Sequence, residues 1–430
     1  MAALACRWNR CMKSIALLGG TGSIGDSTLD VIAQHPERFR LRSISGYRNI
    51  AKLIGICKRF RPDRVVVANE QSAKLIRDAL AGADFTGTDC GESAEILWGA
   101  DGLDAIAADA AVDVVVAAIV GAAGLSSALA AARAGKIIAL ANKEALVMSG
   151  SLLSELCLRH GARLLPIDSE HNAVFQCLPF AAAARQGQEG LASLASSDRF
   201  GVESITLTAS GGPFRTWTHE QMKRATVREA VKHPNWSMGQ KISVDSASLM
   251  NKGLELIEAQ RLFNVSPDKL QVLIHPQSIV HAMVQYRDGS VIAQLGAPDM
   301  RTPIAQVLGW IDGPAHRIGS GVKALDLSRI ARLDFELPDL ERFPALGLAI
   351  DAMRTGGNAP CVLNAANEVA VAGFLANRCR FTDIAACVAV VLHKMANSAA
   401  PDSLEAVLQT DAQARSLADE AMASLRSRYA

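Results

Sequence analysis

The chain of 430 residues has nine cysteines but no Cys-x-x-Cys pair. That lack argues against a structural zinc site or a disulfide framework, and for free thiols in a reducing compartment. Charge of either sign is also not in excess. A net charge of +1 leaves no electrostatic footprint for sequence-independent nucleic-acid binding. Long apolar runs are missing: Val114 to Leu125, the most apolar stretch, is too short and too broken by glycine to span a bilayer. The first dozen residues carry Arg7, Arg10 and Cys11 but no apolar core, so they do not read as a secretory signal, and Met12 stands as an alternative start. Internal repeats and low-complexity tracts are absent. With 50% hydrophobic and 20% charged residues, the sequence reads as a soluble globular protein of two or three domains.

What is present begins with a nucleotide signal. Ser14 to Leu18 reads as a buried parallel strand, followed by Gly19-Gly20-Thr21-Gly22-Ser23-Ile24-Gly25 and a helix to about Ala33. Gly20, Gly22 and Gly25 match the GxGxxG spacing, which lets backbone N–H groups approach a pyrophosphate at a helix N-terminus. The alternative is a plain tight turn. A second strand is expected over Phe39 to Ser45. Its end, Ser45-Gly46-Tyr47-Arg48-Asn49, carries no acid for a free ribose hydroxyl. Arg48 is suited to a 2′-phosphate instead, unless it is an ordinary surface arginine. Strands at 64–68, 112–120 and 136–141 alternate with helices at 73–81, 121–134 and 149–160, the rhythm of a doubly wound sheet. Asn142, Lys143 and Glu144 fall at a strand's carboxyl end, where such sheets bind ligands.

Beyond this sheet the run Leu164-Leu165-Pro166-Ile167 delivers Asp168, Ser169, Glu170 and His171. In an extended backbone Asp168 and Glu170 share a face and would need a cation between them. Hard divalent ions take oxygen ligands of this kind; the alternative is a solvated loop at a strand end. A strand at 205–209 runs into Ser210-Gly211-Gly212, a sequence able to form an anion nest. His233 to Gly239, with Trp236 and Met238 among turn formers, suggests a covering loop. Ile242 to Ser246 then precedes a helix expected from Ala247 to Phe263. On it Asn251, Lys252 and Glu255 lie near one face; Ser246, Asn251 and Lys252 suit a phosphate, and Glu255 a third metal carboxylate. Residues 273–286, with His275 and His281, and 289–295 read as two strands. The segment 181–200 reads as an exposed loop. Asn364 to Val369 is polar without an evident chemistry.

These residues together resemble the 1-deoxy-D-xylulose 5-phosphate reductoisomerase family. The motifs are GGTGSIG, ALANKEALV, LLPIDSEHNAVFQ, ASGGPF, HPNWSMGQKISVDSASLMNKGLELIEA, IHPQSIVHAMV and LGAPDMRTPI, spread over nearly the whole chain. The resemblance implies a homodimeric, cytoplasmic enzyme that uses NADPH and one divalent cation (Mg²⁺, Mn²⁺ or Co²⁺). It would rearrange and reduce 1-deoxy-D-xylulose 5-phosphate, a phosphorylated sugar, to 2-C-methyl-D-erythritol 4-phosphate. It implies Asp168, Glu170 and Glu255 as metal ligands, with Lys143 and His233 beside them in the reaction. Ser169, Ser210, Ser246, Asn251 and Lys252 would bind substrate together with Lys143, Glu170, His233 and Glu255. NADPH would meet Thr21, Gly22, Ser23, Ile24, Gly46, Arg48, Asn49, Asn142, Glu144 and Gly239, with Met300 beside its nicotinamide. The sequence departs from the family where Gly20 replaces a usual serine and at Gly46-Tyr47-Arg48-Asn49.

The expected architecture is α/β: an N-terminal Rossmann-like doubly wound sheet over 1–165 and a central α+β catalytic domain over 166–309. A linker over 310–343 leads to a C-terminal helical bundle over 344–430. The rival functions are another NADP-dependent Rossmann oxidoreductase on a small phosphorylated substrate, and a non-catalytic NADP sensor.

Overall fold

The computed structural model describes residues 12–81, 93–179, 201–236, 238–313, 316–395 and 398–427. The expected loop at 181–200 lies outside them. Strands β1 (Lys13–Leu18), β2 (Phe39–Ser45), β3 (Arg64–Val67), β4 (Glu95–Trp98), β5 (Val114–Ala117), β6 (Ile137–Leu140) and β7 (Arg163–Pro166) form one sheet in the order β4-β3-β2-β1-β5-β6-β7. Every pairing in it is parallel. Strands such as Val-Val-Val-Ala of β5 are buried throughout, as a sheet covered on both faces requires. The helices accompanying it are α1 (Ser23–Gln34), α2 (Ile50–Phe60), α3 (Glu70–Leu80), α4 (Gly99–Ala108), α5 (Leu125–Arg133), α6 (Lys143–Ser149) and α7 (Leu152–His160). Strand order reverses between β1 and β5, and the crevice at their carboxyl ends is where such sheets hold a ligand.

Several local expectations change. The strand expected at 112–120 pairs only over Val114–Ala117, because the chain leaves the sheet toward Gly121, whose φ is +75°. The helix expected from 121 opens as a 3-10 turn, Ala122–Gly124, before α5. Asn142 does not simply end a strand. Its side chain accepts the Ala145 N–H at 3.3 Å and caps α6, an element the sequence reading passed over together with α2, β4 and α4.

Asp168 and Glu170 are not extended. Asp168 caps α8 (Ser169–Cys177), its Oδ1 accepting the Ser169 N–H at 2.9 Å, and Glu170 sits in the first turn. Aspartate is a strong N-cap former, and negative charge there meets the positive end of the helix dipole. Helix α8 packs against a second sheet of β8 (Val202–Ala209), β9 (Leu270–Ile274), β10 (Val280–Tyr286) and β11 (Val291–Leu295), ordered β11-β10-β8-β9. The single strand expected over 273–286 is two, separated by Pro276 and by Ser278 at φ +52°.

Two short helices, α9 (His219–Lys223) and α10 (Val227–Ala230), each closed by a threonine capping box, precede the covering loop. After that loop come α11 (Gln240–Ala247) and α12 (Met250–Phe263). The 242–246 segment is therefore helical, tied by a Lys241–Asp245 pair one turn apart. The break lies later, at Leu249, which adopts φ +61°. Helix α13 (Arg301–Trp310) leads to a segment with one further turn, α14 (Leu327–Ile330). It is fastened on the way by Arg38–Asp312 at 2.5 Å and by a bridge between Ile274 and Glu336. The remaining helices are α15 (Pro344–Thr355), α16 (Ala359–Leu375), α17 (Phe381–Met395) and α18 (Leu404–Ser427), and α16 is the central one of this bundle. Among the described residues no helix is long and apolar enough to cross a membrane.

Candidate active site

A cleft of about 880 Å³ opens between the carboxyl ends of the first sheet, the second sheet and α12. Most of the candidate residues line it: Gly22, Ser23, Ile24, Arg48, Asn142, Lys143, Glu144, Asp168, Ser169, Glu170, Ser210, His233, Gly239, Ser246, Asn251, Lys252 and Glu255. Thr21, Gly46 and Asn49 stand behind that lining rather than on it. Thr21 faces Gly46, and the Asn49 side chain caps α2 by accepting the Lys52 N–H at 3.0 Å.

At one end the glycine turn is built for close approach. The Gly19 and Gly20 N–H groups are held by the Ser45 hydroxyl and carbonyl at the end of β2. A Cβ at Gly25 would lie 2.4 Å from the Gly20 carbonyl oxygen, so α1 can pack this tightly on the turn only with glycine there. Gly22 caps α1 without a side chain, leaving the first-turn N–H groups free for an anion. This cradle, with exposed Arg48 on the rim, fits the pyrophosphate and 2′-phosphate of NADPH.

The other end is a charge cluster. Ligand oxygens of Asp168, Glu170 and Glu255 lie within 4.8 Å of one another, a donor set that suits one hard divalent cation. Lys143 Nζ bonds Asp168, Glu255 at 3.0 Å and Asn251 Oδ1 at 3.0 Å. Lys252 Nζ bonds Glu170 at 2.6 Å and also Glu255. Asn251 and Lys252, in the first turn of α12, thus turn toward the carboxylates, while Ser246 belongs to the preceding helix. Burial disfavours each charge here, and the partners decide the outcome. Lys143 stays well above the ordinary lysine value because Asp168 and Glu255 outweigh its burial. Asp168 is depressed mainly by Lys143, against burial. Glu255 is raised, first by burial and then by Glu170.

A second group the sequence reading missed sits directly behind. The buried His171 ring donates from Nε2 to the Glu255 carbonyl at 2.8 Å, and its Nδ1 lies 3.4 Å from Glu258. The sequence signal was available: Glu258 follows Glu255 by three residues on one helix face. His171 therefore supports α12 from below rather than facing the cleft.

The segment read as an anion nest turns at Ser210 with Gly211 at φ +84° and Gly212 at φ +68°, and its Gly212 N–H donates to Ser210 Oγ at 3.1 Å. A Cβ at Gly212 would meet the Ser246 carbonyl at 2.6 Å, so this turn and Ser246 adjoin. His233 organises the covering loop. Its Nδ1 accepts the Asn235 and Trp236 N–H groups at 3.2 and 3.0 Å, which leaves Nε2–H to donate to Ser210 Oγ at 2.9 Å. Burial lowers the His233 pKa to about 4, against the pull of Glu170. Trp236 meets His281 edge-on at 6.3 Å. His275 is structural: it holds the Asp334 carbonyl at 2.8 Å and stacks on Phe335. Met300 is set on the cleft wall by Arg301, which grips Asp299 and Asp30.

Three family profiles match the chain. The 1-deoxy-D-xylulose 5-phosphate reductoisomerase profile covers residues 15–150, and two C-terminal-domain profiles of that enzyme cover 164–263 and 295–417. The chain is 52% identical over 404 residues to the 1-deoxy-D-xylulose 5-phosphate reductoisomerase of Laribacter hongkongensis, covering 94% of this chain and 98% of that one. It is 53% identical over 419 residues to that of Cupriavidus metallidurans, covering 97% and 100%. Among solved structures it is similar to a DOX-P reductoisomerase in complex with NADPH, fosmidomycin and magnesium. That similarity has a TM-score of 0.89 and 47% identity, over 96% of this chain and 99% of that one. It is also similar to the Zymomonas mobilis enzyme in complex with NADPH, with a TM-score of 0.84 and 44% identity over 96% and 100%.

Proposed function

The chain belongs to the 1-deoxy-D-xylulose 5-phosphate reductoisomerase family, and from that premise we propose that it converts 1-deoxy-D-xylulose 5-phosphate to 2-C-methyl-D-erythritol 4-phosphate in isoprenoid precursor synthesis. The observation that carries this reading is the convergence of Asp168, Glu170 and Glu255 on one wall of a cleft whose other end is a dinucleotide cradle. A simple reductase needs only the cradle, and a sensor needs no carboxylate triad.

Asp168, Glu170 and Glu255 would hold the cation (Mg²⁺, Mn²⁺ or Co²⁺), which when bound would supply Lewis-acid stabilisation of negative charge developing on the substrate's oxygens. The Gly22–Ile24 turn and Arg48 would hold NADPH, which would supply the hydride for the reduction. The protein's own groups do the rest. Lys143 favours the ionised form of Asp168 and Lys252 that of Glu170 inside a buried wall, while burial and Glu170 hold Glu255 above the usual carboxylate range. With His233 Nε2–H and the Gly212 N–H both donating to Ser210 Oγ, the serine's hydrogen is free to turn toward a substrate phosphoryl oxygen. Ser246 adjoins this turn, and Asn251 and Lys252 line the same cleft, bonded here to the carboxylates Glu170 and Glu255. A phosphate gripped there contributes binding energy remote from the reacting bond, which orients a short, flexible substrate. Trp236, packed on His281, shields the interior from water.

The division at 1–165, 166–309, 310–343 and 344–430 belongs to the same proposal, supported by the first sheet's last strand ending at Pro166 and by the helical run from Pro344. So does a homodimer. Among the described residues strand β11, paired with β10 on one side, is an edge of its sheet whose Val291, Ile292 and Leu295 side chains are exposed, and edges of this kind pair with another chain. A cytoplasmic setting is supported by six cysteines that stay free among the described residues. The test of the reaction is NADPH oxidation followed by absorbance, with purified protein, 1-deoxy-D-xylulose 5-phosphate, and Mn²⁺ present or chelated. Oxidation that requires both sugar phosphate and cation is expected.

A further inference from the structure

Helix α16 packs against both α6 and α11, and one buried side chain carries it to the cleft. Asn367, fully buried, donates from Nδ2 to Asp245 Oδ1 at 2.8 Å. Asp245 is 1% exposed, and its Oδ2 holds Lys241 Nζ at 2.9 Å. The same ammonium donates to Glu144 Oε1 at 2.7 Å. Glu144, Lys241 and Asp245 line the cleft, and Asn367 does not. Four side chains therefore run from the C-terminal bundle, through the helix that begins where the covering loop ends, to the wall beside Asn142.

The placement of Lys241 matters. It is the second residue of α11, directly after the Gly239 cap and hence at the anchored end of the loop that carries His233 and Trp236. Burial works against its ammonium, but Asp245 and then Glu144 hold it charged, above the ordinary lysine value. Without it, two buried carboxylates would face each other unpaired, a costly arrangement. A second contact of α16 points the same way. Glu368, next to Asn367, is clamped by Arg415 of α18. A Cβ on Gly121, just past β5, would come within 2.9 Å of Glu368 Oε1. The bundle thus abuts both the loop after β5, one of the two strands whose carboxyl ends frame the dinucleotide crevice, and α6, which follows β6.

We propose that Lys241 and Asn367 are positioning residues that fix the covering loop's anchored end against the cofactor wall, so that the C-terminal bundle governs NADPH binding without touching NADPH. This rests on the cofactor reading given above. Its consequence is a coupling between distant groups, typically about 5- to 150-fold in affinity for such links.

The experiment uses the full-length enzyme with Lys241→Met, Lys241→Arg and Asn367→Leu. NADPH dissociation constants come from titrating NADPH fluorescence without substrate, beside KM for each substrate, kcat, Mn²⁺ affinity and the thermal midpoint. Asn367→Leu is expected to weaken NADPH binding roughly fivefold or more, raising KM for NADPH while Mn²⁺ affinity stays at the wild-type value. Lys241→Arg is expected to recover most of what Lys241→Met loses. If Asn367→Leu lowers the thermal midpoint but leaves NADPH affinity and KM within twofold of wild type, the contact is only structural and the proposal falls. Should Lys241→Met fail to fold, Asn367→Leu alone decides. A wild-type protein that binds NADPH but does not turn over the sugar phosphate refutes the proposed reaction and leaves this positioning role standing.

Discussion

Lys143 and Glu255, 112 residues apart in the chain, meet at 3.0 Å in the cleft wall. Lys143 reaches Asp168 as well, and Lys252 joins Glu170 to Glu255. Two ammoniums against three carboxylates leave one negative charge in excess where Glu255 is 1% exposed. A divalent cation would more than offset that excess and would favour the ionised form of all three carboxylates, including Glu255, which burial and Glu170 otherwise raise; this is why the triad reads as a metal site rather than an ordinary ion-pair network.

Glu170→Gln therefore should lower turnover by roughly a hundredfold or more, since it deletes a charged ligand of the group that stabilises the transition state. NADPH affinity should stay close to wild type, because the cradle lies at the other end of the cleft. Mn²⁺ binding followed by electron paramagnetic resonance, beside steady-state turnover, checks both halves. Wild-type turnover of this variant at saturating Mn²⁺ would remove Glu170 from the site.

Arg48→Ala should erode the preference for NADPH over NADH. A charge-assisted bond to the 2′-phosphate is worth roughly 1.5–3 kcal/mol, so the ratio of catalytic efficiencies should fall about tenfold to a hundredfold, through NADPH alone. An unchanged ratio would make Arg48 a surface arginine and give the phosphate to another group.

The part of this arrangement legible in the sequence was the part carried by contiguous residues. The glycine turn, β2 ending at Ser45, the turn after Ser210 and the C-terminal helices expected at 344–354 and 403–428 and found at 344–355 and 404–427 follow from local spacing. What escaped depended on partners distant in sequence. Asp168 and Glu170 looked extended because a period of two fitted them. The N-cap bond to Ser169 and the packing of α8 on the second sheet instead make Asp168 the cap of a helix and put Glu170 in its first turn. Lys241 and Asp245 fall outside the helix expected from Ala247, although their four-residue spacing was a helix signal. Lys252 looked free for phosphate because nothing local reveals that Glu170 comes to it from another element. Asn367 had no evident chemistry until Asp245 was seen opposite it.

His233 should remain neutral far below the usual histidine range. Its Nδ1 already accepts two N–H groups, and burial holds the ring down to about 4 from an ordinary 6.5. The native state thus resists the proton that the unfolded chain takes up first. Stability from this group is intact above about pH 6.5 and is drawn away as pH falls from there through about 4. Proton NMR of the ring, assigned by comparison with His233→Gln, should give a midpoint near 4. A midpoint near 6.5 would mean that the loop does not hold the ring in this way.

Ile292→Glu should disrupt self-association. The change puts a charge on the exposed face of edge strand β11, next to Val291. Sedimentation at micromolar concentration should show a dimer for the wild type and a larger monomer fraction for the variant. A variant as dimeric as wild type would put the interface elsewhere.

The central claim is that the triad performs a rearrangement and not merely that the cradle performs a reduction. The carbon skeleton of the product decides it. Carbon-13-labelled 1-deoxy-D-xylulose 5-phosphate, incubated with the enzyme, NADPH and Mn²⁺, should yield a branched product by NMR, with a new carbon–carbon bond that forms only when the cation is present. An unbranched, singly reduced sugar-alcohol phosphate would contradict the account and leave a simple NADPH-dependent reductase in its place.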